Sequence, residues 1–341
     1  MGDKDRMKTL GEALPDLLPF LPVEKARRAA ADAQATGQGK PRPLTRVQRR
    51  VLEKGRTPEQ DDDPDSLAYQ HSVFCQTGLP YRDPGDDVRL WERTQGAAAL
   101  EIQAGRLRDP LKGRFVDVGL PWGTKSRLVL AHINGEALRQ GTNVIEIEGS
   151  LTAFVKRIRG FTGGREIRLF KDHLNRLSAS IIRLAFDHGK HRASQIDTKI
   201  ISACDLWLTK DERQRVLWPS TIALSLDYFE SLQQHAVPLN EADLAALAHS
   251  AMALDIYAWL AQRLHRIDPA RPQFIPWHGV KQQFGQGYDR MDHFKAAFRK
   301  ALRQVVARYL AARIDEDGHG LTLRHSPPPV LKSTVLLPRK P

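Results

Sequence analysis

Residues 277–313 read WHGVKQQFGQGYDRMDHFKAAFRKALRQVVARYLAAR, and the fold of the whole chain turns on how this stretch is read. Its spacing predicts a short helix, a turn built on Gly285 and Gly287, and then a long helix. On the long helix Met291, Phe294, Phe298, Leu302, Val305 and Tyr309 recur in steps of three and four, the stripe that an α-helix buries against a core. Roughly opposite, Lys295, Arg299 and Arg303 recur every fourth residue, with Lys300 beside them. An apolar stripe and a cationic row on one helix, entered through a glycine turn from another short helix, form a layout that fits a major groove. An ordinary surface helix whose cations only face water has the same pattern. The choice therefore rests on the rest of the chain.

Upstream, residues 111–210 show a related order. Phe115, Val116 and Val118 read as a short strand, and Thr124 as the N-cap of a helix burying Leu128, Val129, Ile133, Ala137 and Leu138. NVIEIEG alternates as a strand, Ser150 caps the short helix LTAFVKRIR, and Gly160, Gly163 and Gly164 make a turn. The helix REIRLFKDHLNRLSASII then buries Ile167, Phe170, Leu174, Leu177 and Ile181. Outward it shows Arg165, Arg168, Asn175 and Arg176, with Lys171 on the flank. SIIRLAF, DHGKHRASQ and IDTKIISACDLWL read as strand, basic hairpin tip and returning strand, a wing carrying Lys190, His191 and Arg192.

Residues 213–330 repeat this order. LSLDYFESLQQ and NEADLAAL are short helices, with Asn240 and Asp243 in the positions of a capping box. HSAMALDIYAWLAQRLH is a long helix burying Leu254, Tyr257, Ala261 and Leu264. PQFIPW is a strand, and RIDEDGHGLTLRH makes strand, turn and strand. Arg127 to Gly160 and Met252 to Gly285 each span 33 positions, so the two copies also agree in length.

The expected fold is α+β, two tandem winged-helix domains behind a largely flexible N-terminal extension. The expected boundaries are 1–65 for the extension, 66–212 for the first winged-helix domain with an N-terminal embellishment, 213–330 for the second, and 331–341 for a loose tail. In the extension, Pro15, Pro19 and Pro22 break up the apolar cluster Leu14–Leu21, and EQDDDPD at 59–65 marks a solvated boundary. A chain of 341 residues is long enough for two domains with real cores.

Charge favours a polyanion. The chain carries 52 Lys and Arg against 40 Asp and Glu; residues 1–110 hold 18 of each sign, so the whole excess of +12 lies in residues 111–341. No apolar run approaches the roughly 20 residues of a spanning helix, and the start of the sequence lacks the pattern of a signal peptide. Cys75 and Cys204 define neither a disulfide framework nor a zinc site, which suits a reduced cytoplasm.

Several long blocks, in order, resemble a known family. GLPWGTKSRLVLAHINGEALR, EGSLTAFVKRIRGFTGGREIRLFKDHLNRL, LDYFESLQQHAVPLNEADLAALAHSAMALDIYAWLAQRL, IPWHGVKQQFGQGYDRMDHFKAAFRKAL and DGHGLTLRHSPPP are similar to the plasmid-encoded RepA replication initiators, over roughly residues 66–328. The resemblance implies binding to repeated sites in double-stranded origin DNA, opening of the duplex, and recruitment of the host initiator and the replicative helicase or its loader. A homodimer is compatible with it. The two cationic helices are expected in successive major grooves, with the link near Leu208–Arg215 setting their separation. Arg168, Asn175, Arg176, Arg299 and Arg303 are the candidates for base edges. Lys171, Lys295, Lys300, Lys190, His191 and Arg192 suit phosphates, and Arg165 faces the same way.

Other classes of function fit the residues less well. Gly119–Ser126 nearly matches a phosphate-binding loop, but Thr124 stands where the second glycine belongs and Pro121 removes an amide. The twelve histidines show no metal-ligand spacing, no nucleophile signature is present, and no cofactor or catalytic residue is expected. Asp255, inside an apolar helix, is either a functional carboxylate or the partner of an arginine. A repressor or partition protein on the same fold is the alternative to an initiator.

Overall fold

A computed structural model of the protein describes residues 67–109, 112–146, 153–156, 163–187, 193–204 and 221–330. The expectations for the N-terminal extension, the Ser150 cap, Gly160, the tip residues Lys190, His191 and Arg192, and the tail fall outside these residues. The chain runs through β1 (Leu67–His71), α1 (Ser72–Thr77), β2 (Leu90–Gln95), β3 (Ala98–Gln103), β4 (Arg106–Asp109), β5 (Arg114–Asp117), α2 (Gly123–Gln140), β6 (Val144–Glu146) and α3 (Gly164–Ala179). Next come β7 (Ile181–Asp187), β8 (Ala193–Thr198), β9 (Ile201–Cys204), β10 (Thr221–Leu224), α4 (Leu226–His235), β11 (Ala236–Asn240), α5 (Glu241–Leu247) and α6 (Ala251–Arg263). The chain then follows β12 (Gln273–Pro276), α7 (Trp277–Phe284), α8 (Met291–Val306), β13 (Arg313–Glu316) and β14 (Gly320–Arg324).

From α6 onward this is a winged helix: a first helix, a strand, two helices joined by a turn, and a hairpin whose second strand lies between the other two, in the order β12-β14-β13. The aromatic stripe makes its core. Trp277 meets Phe298 edge-on at 5.9 Å, Phe284 lies 5.5 Å from Phe298, and Trp259 of α6 meets Phe284 at 5.2 Å. Phe294, Phe298, Val305 and Tyr309 are all fully buried. The turn needs both of its glycines. Gly287 has φ +72°, and a side chain on Gly285 would overlap the Lys281 carbonyl.

The first unit has the same sheet order, β6-β10-β9, following α2, the 153–156 turn of helix and α3. This corrects the reading of the first wing. β7 and β8 do form a hairpin, but β7 pairs with β3 to give a separate four-stranded sheet, β2-β3-β7-β8. Residues 205–220, which connect β9 to β10 in the chain and include the stretch expected as the link between domains, lie outside the described residues. β10 pairs with β6 and β9, so the first unit's sheet runs past the expected boundary at 212 to Leu224. Pairing to strands about 80 residues away decided the matter, and local alternation carries no trace of that.

Helix starts show smaller differences. α2 begins at Gly123 behind Trp122, without a side-chain cap, so Thr124 sits inside the first turn. Asn240 does cap α5, accepting from the amides of Ala242 and Asp243, but the Asp243 carboxylate turns instead to Tyr257 Oη at 2.9 Å and to Arg308. α3 ends at Ala179, and Ile181 opens β7.

The two units share one apolar core. β1 pairs along its length with β11, and α2 and α6, the first helices of the two units, are buried on nearly every side. Between those helices Arg127 grips Asp255 through two bonds, Nε to Oδ1 at 2.6 Å and a terminal nitrogen to Oδ2 at 2.7 Å. Arg127 also donates to the carbonyls of Leu79, Pro80 and Gly123 and stacks on Tyr81. Asp255 is thus an arginine's partner. Burial raises its carboxyl above the usual range and Arg127 opposes that shift.

Candidate nucleic-acid interface

Each unit presents its last helix to solvent. Counted by burial, α3 and α8 match with a shift of 128 residues: Phe170, Leu174 and Leu177 are buried like Phe298, Leu302 and Val305, and Asp172 is exposed like Lys300. At matched outward positions α3 places Arg165 and Arg168 where α8 places His293 and Ala296. The cations are therefore distributed differently on the two helices.

On α8 the row Lys295, Arg299 and Arg303 lies along the flank that faces the wing. Lys295 Nζ stands 5.0 Å from the centre of the Trp277 ring and donates to Gly318 O at 3.4 Å. Arg299 lies 5.2 Å from the same ring and pairs through Nε with Glu316 of β13 at 2.5 Å. Arg303 is half-buried, and its Nε has no hydrogen-bond partner among the described residues. Lys300 points outward, on the ridge with Asp292, His293 and Ala296.

Trp277 fixes this seam. Its indole donates to Asp317 O at 3.1 Å, and its backbone amide to His319 O at 2.9 Å, which ties the wing to the start of α7. The tip itself is closed by Asp317, whose carboxylate accepts from the amides of His319 and Gly320; these bonds hold its carboxyl below the usual range. Helix α8 and its wing consequently form one surface, lined by cations that alternate with Asp315, Glu316 and Asp317.

On α3, Arg165 and Arg168 are exposed and Asn175 is half-buried. Lys171 is buried, and desolvation lowers its pKa. Arg176 turns inward. It pairs with Asp172 at 2.9 Å, approaches Asp83 at 4.0 Å and donates to Leu120 O. The seam thus gathers Lys295, Arg299 and Arg303, the α3 ridge gathers Arg165 and Arg168, and Lys171 and Arg176 stand apart from both.

The segment resembling a phosphate-binding loop is otherwise occupied. Ser126 is fully buried with Oγ 2.9 Å from His173 Nδ1, and the Gly123 amide donates to Pro80 O. Among the described residues no helix is long and apolar enough to cross a membrane, and no group of three or more His, Cys, Asp or Glu side chains could hold a metal ion.

No curated protein sequence matches the chain. Two similar solved structures hold domains 2 and 3 of RctB. A selenomethionine derivative has a TM-score of 0.46 at 8% identity, covering 77% of this chain and 99% of that one. A second RctB structure has a TM-score of 0.45 at 9% identity, covering 72% and 95%. Residues 120–278, from the lead into α2 to the first turn of α7, match the family model described as plasmid encoded RepA protein.

Proposed function

We propose that this protein is a plasmid replication initiator that binds repeated sites in its origin duplex through two winged helices and brings host replication proteins to it. The observation that carries this reading is the recurrence of one winged-helix topology, β6-β10-β9 and β12-β14-β13, in a chain whose central segment matches the model of the plasmid encoded RepA protein family. The excess of +12 in residues 111–341 supplies the sequence-independent attraction to phosphates. Base contacts come from Arg165 and Arg168 on the α3 ridge and from Arg299 on the wing-facing flank of α8, while Lys300 on the α8 ridge meets phosphate. An arginine that lets go of a surface carboxylate to engage a guanine loses little, because exposed ion pairs contribute no more than about 1 kcal/mol.

The test is a plasmid that carries the candidate origin and lacks this gene. Supplying the protein in trans is expected to restore replication. Silencing of a promoter in the same DNA without replication would instead identify a regulator.

A further inference from the structure

We infer that hairpin β4–β5, which lies outside both winged helices, is a further nucleic-acid contact: Arg108 and Arg114, with Arg106 and Lys112 beside them, grip phosphates of the duplex flanking the element that α3 occupies. This rests on the DNA-binding reading above and adds a surface that belongs to neither recognition helix.

The hairpin, RLRDPLKGRFVD at 106–117, carries four cations and two carboxylates. Arg106 is paired with Asp117 and Arg108 with Phe115, which puts these four side chains on one face, since successive residues of a strand point to opposite sides. That face is exposed, and Leu107 and Val116 on the other are half-buried. Both carboxylates are engaged. Asp109 is buried and accepts from the Lys112 amide at 3.1 Å, and Asp117 lies 3.6 Å from both Arg89 and Arg106. Among the described residues neither Arg108 nor Arg114 forms an ion pair. Arg108 instead stands 5.9 Å from the centre of the Phe115 ring, an exposed aromatic that restrains the guanidinium at the surface. The fold makes no use of these two charges.

The base of the ribbon is fixed to α3. Strand β4 follows Gly105, where an added side chain would strike the Ala179 carbonyl at the end of α3. Arg89 donates to the carbonyls of Ala104, Gly105 and Val118 at 2.9, 3.0 and 3.0 Å, and the Val118 amide donates to Gly105 O at 3.0 Å. Beyond that clamp β4 and β5 pair only with each other among the described residues. The ribbon therefore keeps one place beside α3. Four residues at ~3.4 Å each span roughly the length of four base pairs. Cations spread along such a ribbon follow a phosphate backbone, and Arg106 leaves its exposed partner at little cost.

The test uses the full chain, Arg108→Ala/Arg114→Ala, and a duplex with one origin element and about ten base pairs, one helical turn, on each flank. The parent should bind this duplex at least ~10-fold more tightly than the variant near 0.15 M salt, and the variant's slope of log affinity against log salt should be smaller by about 2. Trimming one flank should cost the parent about the same factor and the variant less than threefold, whereas trimming the other should cost both alike. Neither arginine holds an ion pair, so the variant should keep the parent's urea midpoint; Arg114→Ala alone serves if it does not fold. Binding by the variant within threefold of the parent would assign the ribbon to another acidic partner and overturn the proposal, as would equal losses for parent and variant at both flanks. Failure of the parent to bind the long duplex is a different result, which overturns the DNA reading and the proposal with it.

Discussion

Arg299 and Lys300 are neighbours in sequence, yet Arg299 lies between Trp277 and Glu316 while Lys300 stands in solvent. Their substitutions should separate. Arg299→Ala is expected to weaken binding to origin sites by about 1–3 kcal/mol while affecting unrelated duplex much less. Lys300→Ala should weaken all duplexes alike and lower the slope of log affinity against log salt by about 1. Titrations at several salt concentrations check both, and equal losses on origin and unrelated DNA for Arg299→Ala would remove it from base readout. The apolar stripe of each helix was legible because burial repeats every three or four residues. The fate of the flanks was not: what Lys171 or Arg176 meets depends on Asp83, Leu120 and the packing around them, all remote in sequence.

Two buried histidines give a pH dependence at the same scale. Burial pushes His71 down to about 3, aided by His235, and His173 down to about 4, with Asp172 opposing. His71 Nδ1 accepts from the Val73 amide and Nε2 faces Ser231 Oγ, which suits the neutral ring. Both folded values lie below the unfolded value near 6.5, so as pH falls through 6.5 the unfolded chain takes up protons that the fold refuses, and stability drops. Between pH 7 and pH 5 the loss should be about 2 kcal/mol for each of the two. Urea denaturation at the two pH values measures it, and His173→Gln should remove about half of the dependence. A flat profile in the parent would contradict the burial argument.

At the scale of elements, the joint between α7 and α8 is the most constrained. Gly285→Ala forces a methyl group against the Lys281 carbonyl and should destabilise the protein by about 1–3 kcal/mol, read from the shift in its urea midpoint. Gly279→Ala, inside α7 with only ordinary contacts around the added carbon, provides the comparison and should cost far less. An equal loss in both would mean that the turn is not under strain. The helix–turn–helix and its wing were readable because every part lies within 50 residues. The first unit was harder, since its sheet closes across an inserted hairpin that joins a different sheet.

At the scale of the molecule, two copies of a small winged-helix fold share a core and meet through a buried charge pair. Asp255→Asn leaves Arg127 buried without its counter-charge and should cost about 3–5 kcal/mol, measured by urea denaturation. The uneven charge of the chain and the doubling of its pattern were both visible in the sequence. The shared core was not, because β1 and β11, which close it, are 165 residues apart and look like unrelated short runs. Hydroxyl-radical footprinting on the DNA flanking the gene tests the central claim most directly. Two protected patches one helical turn apart on the same face of the duplex are the expected result; a single patch, or none at protein concentrations that shift the duplex, would contradict it.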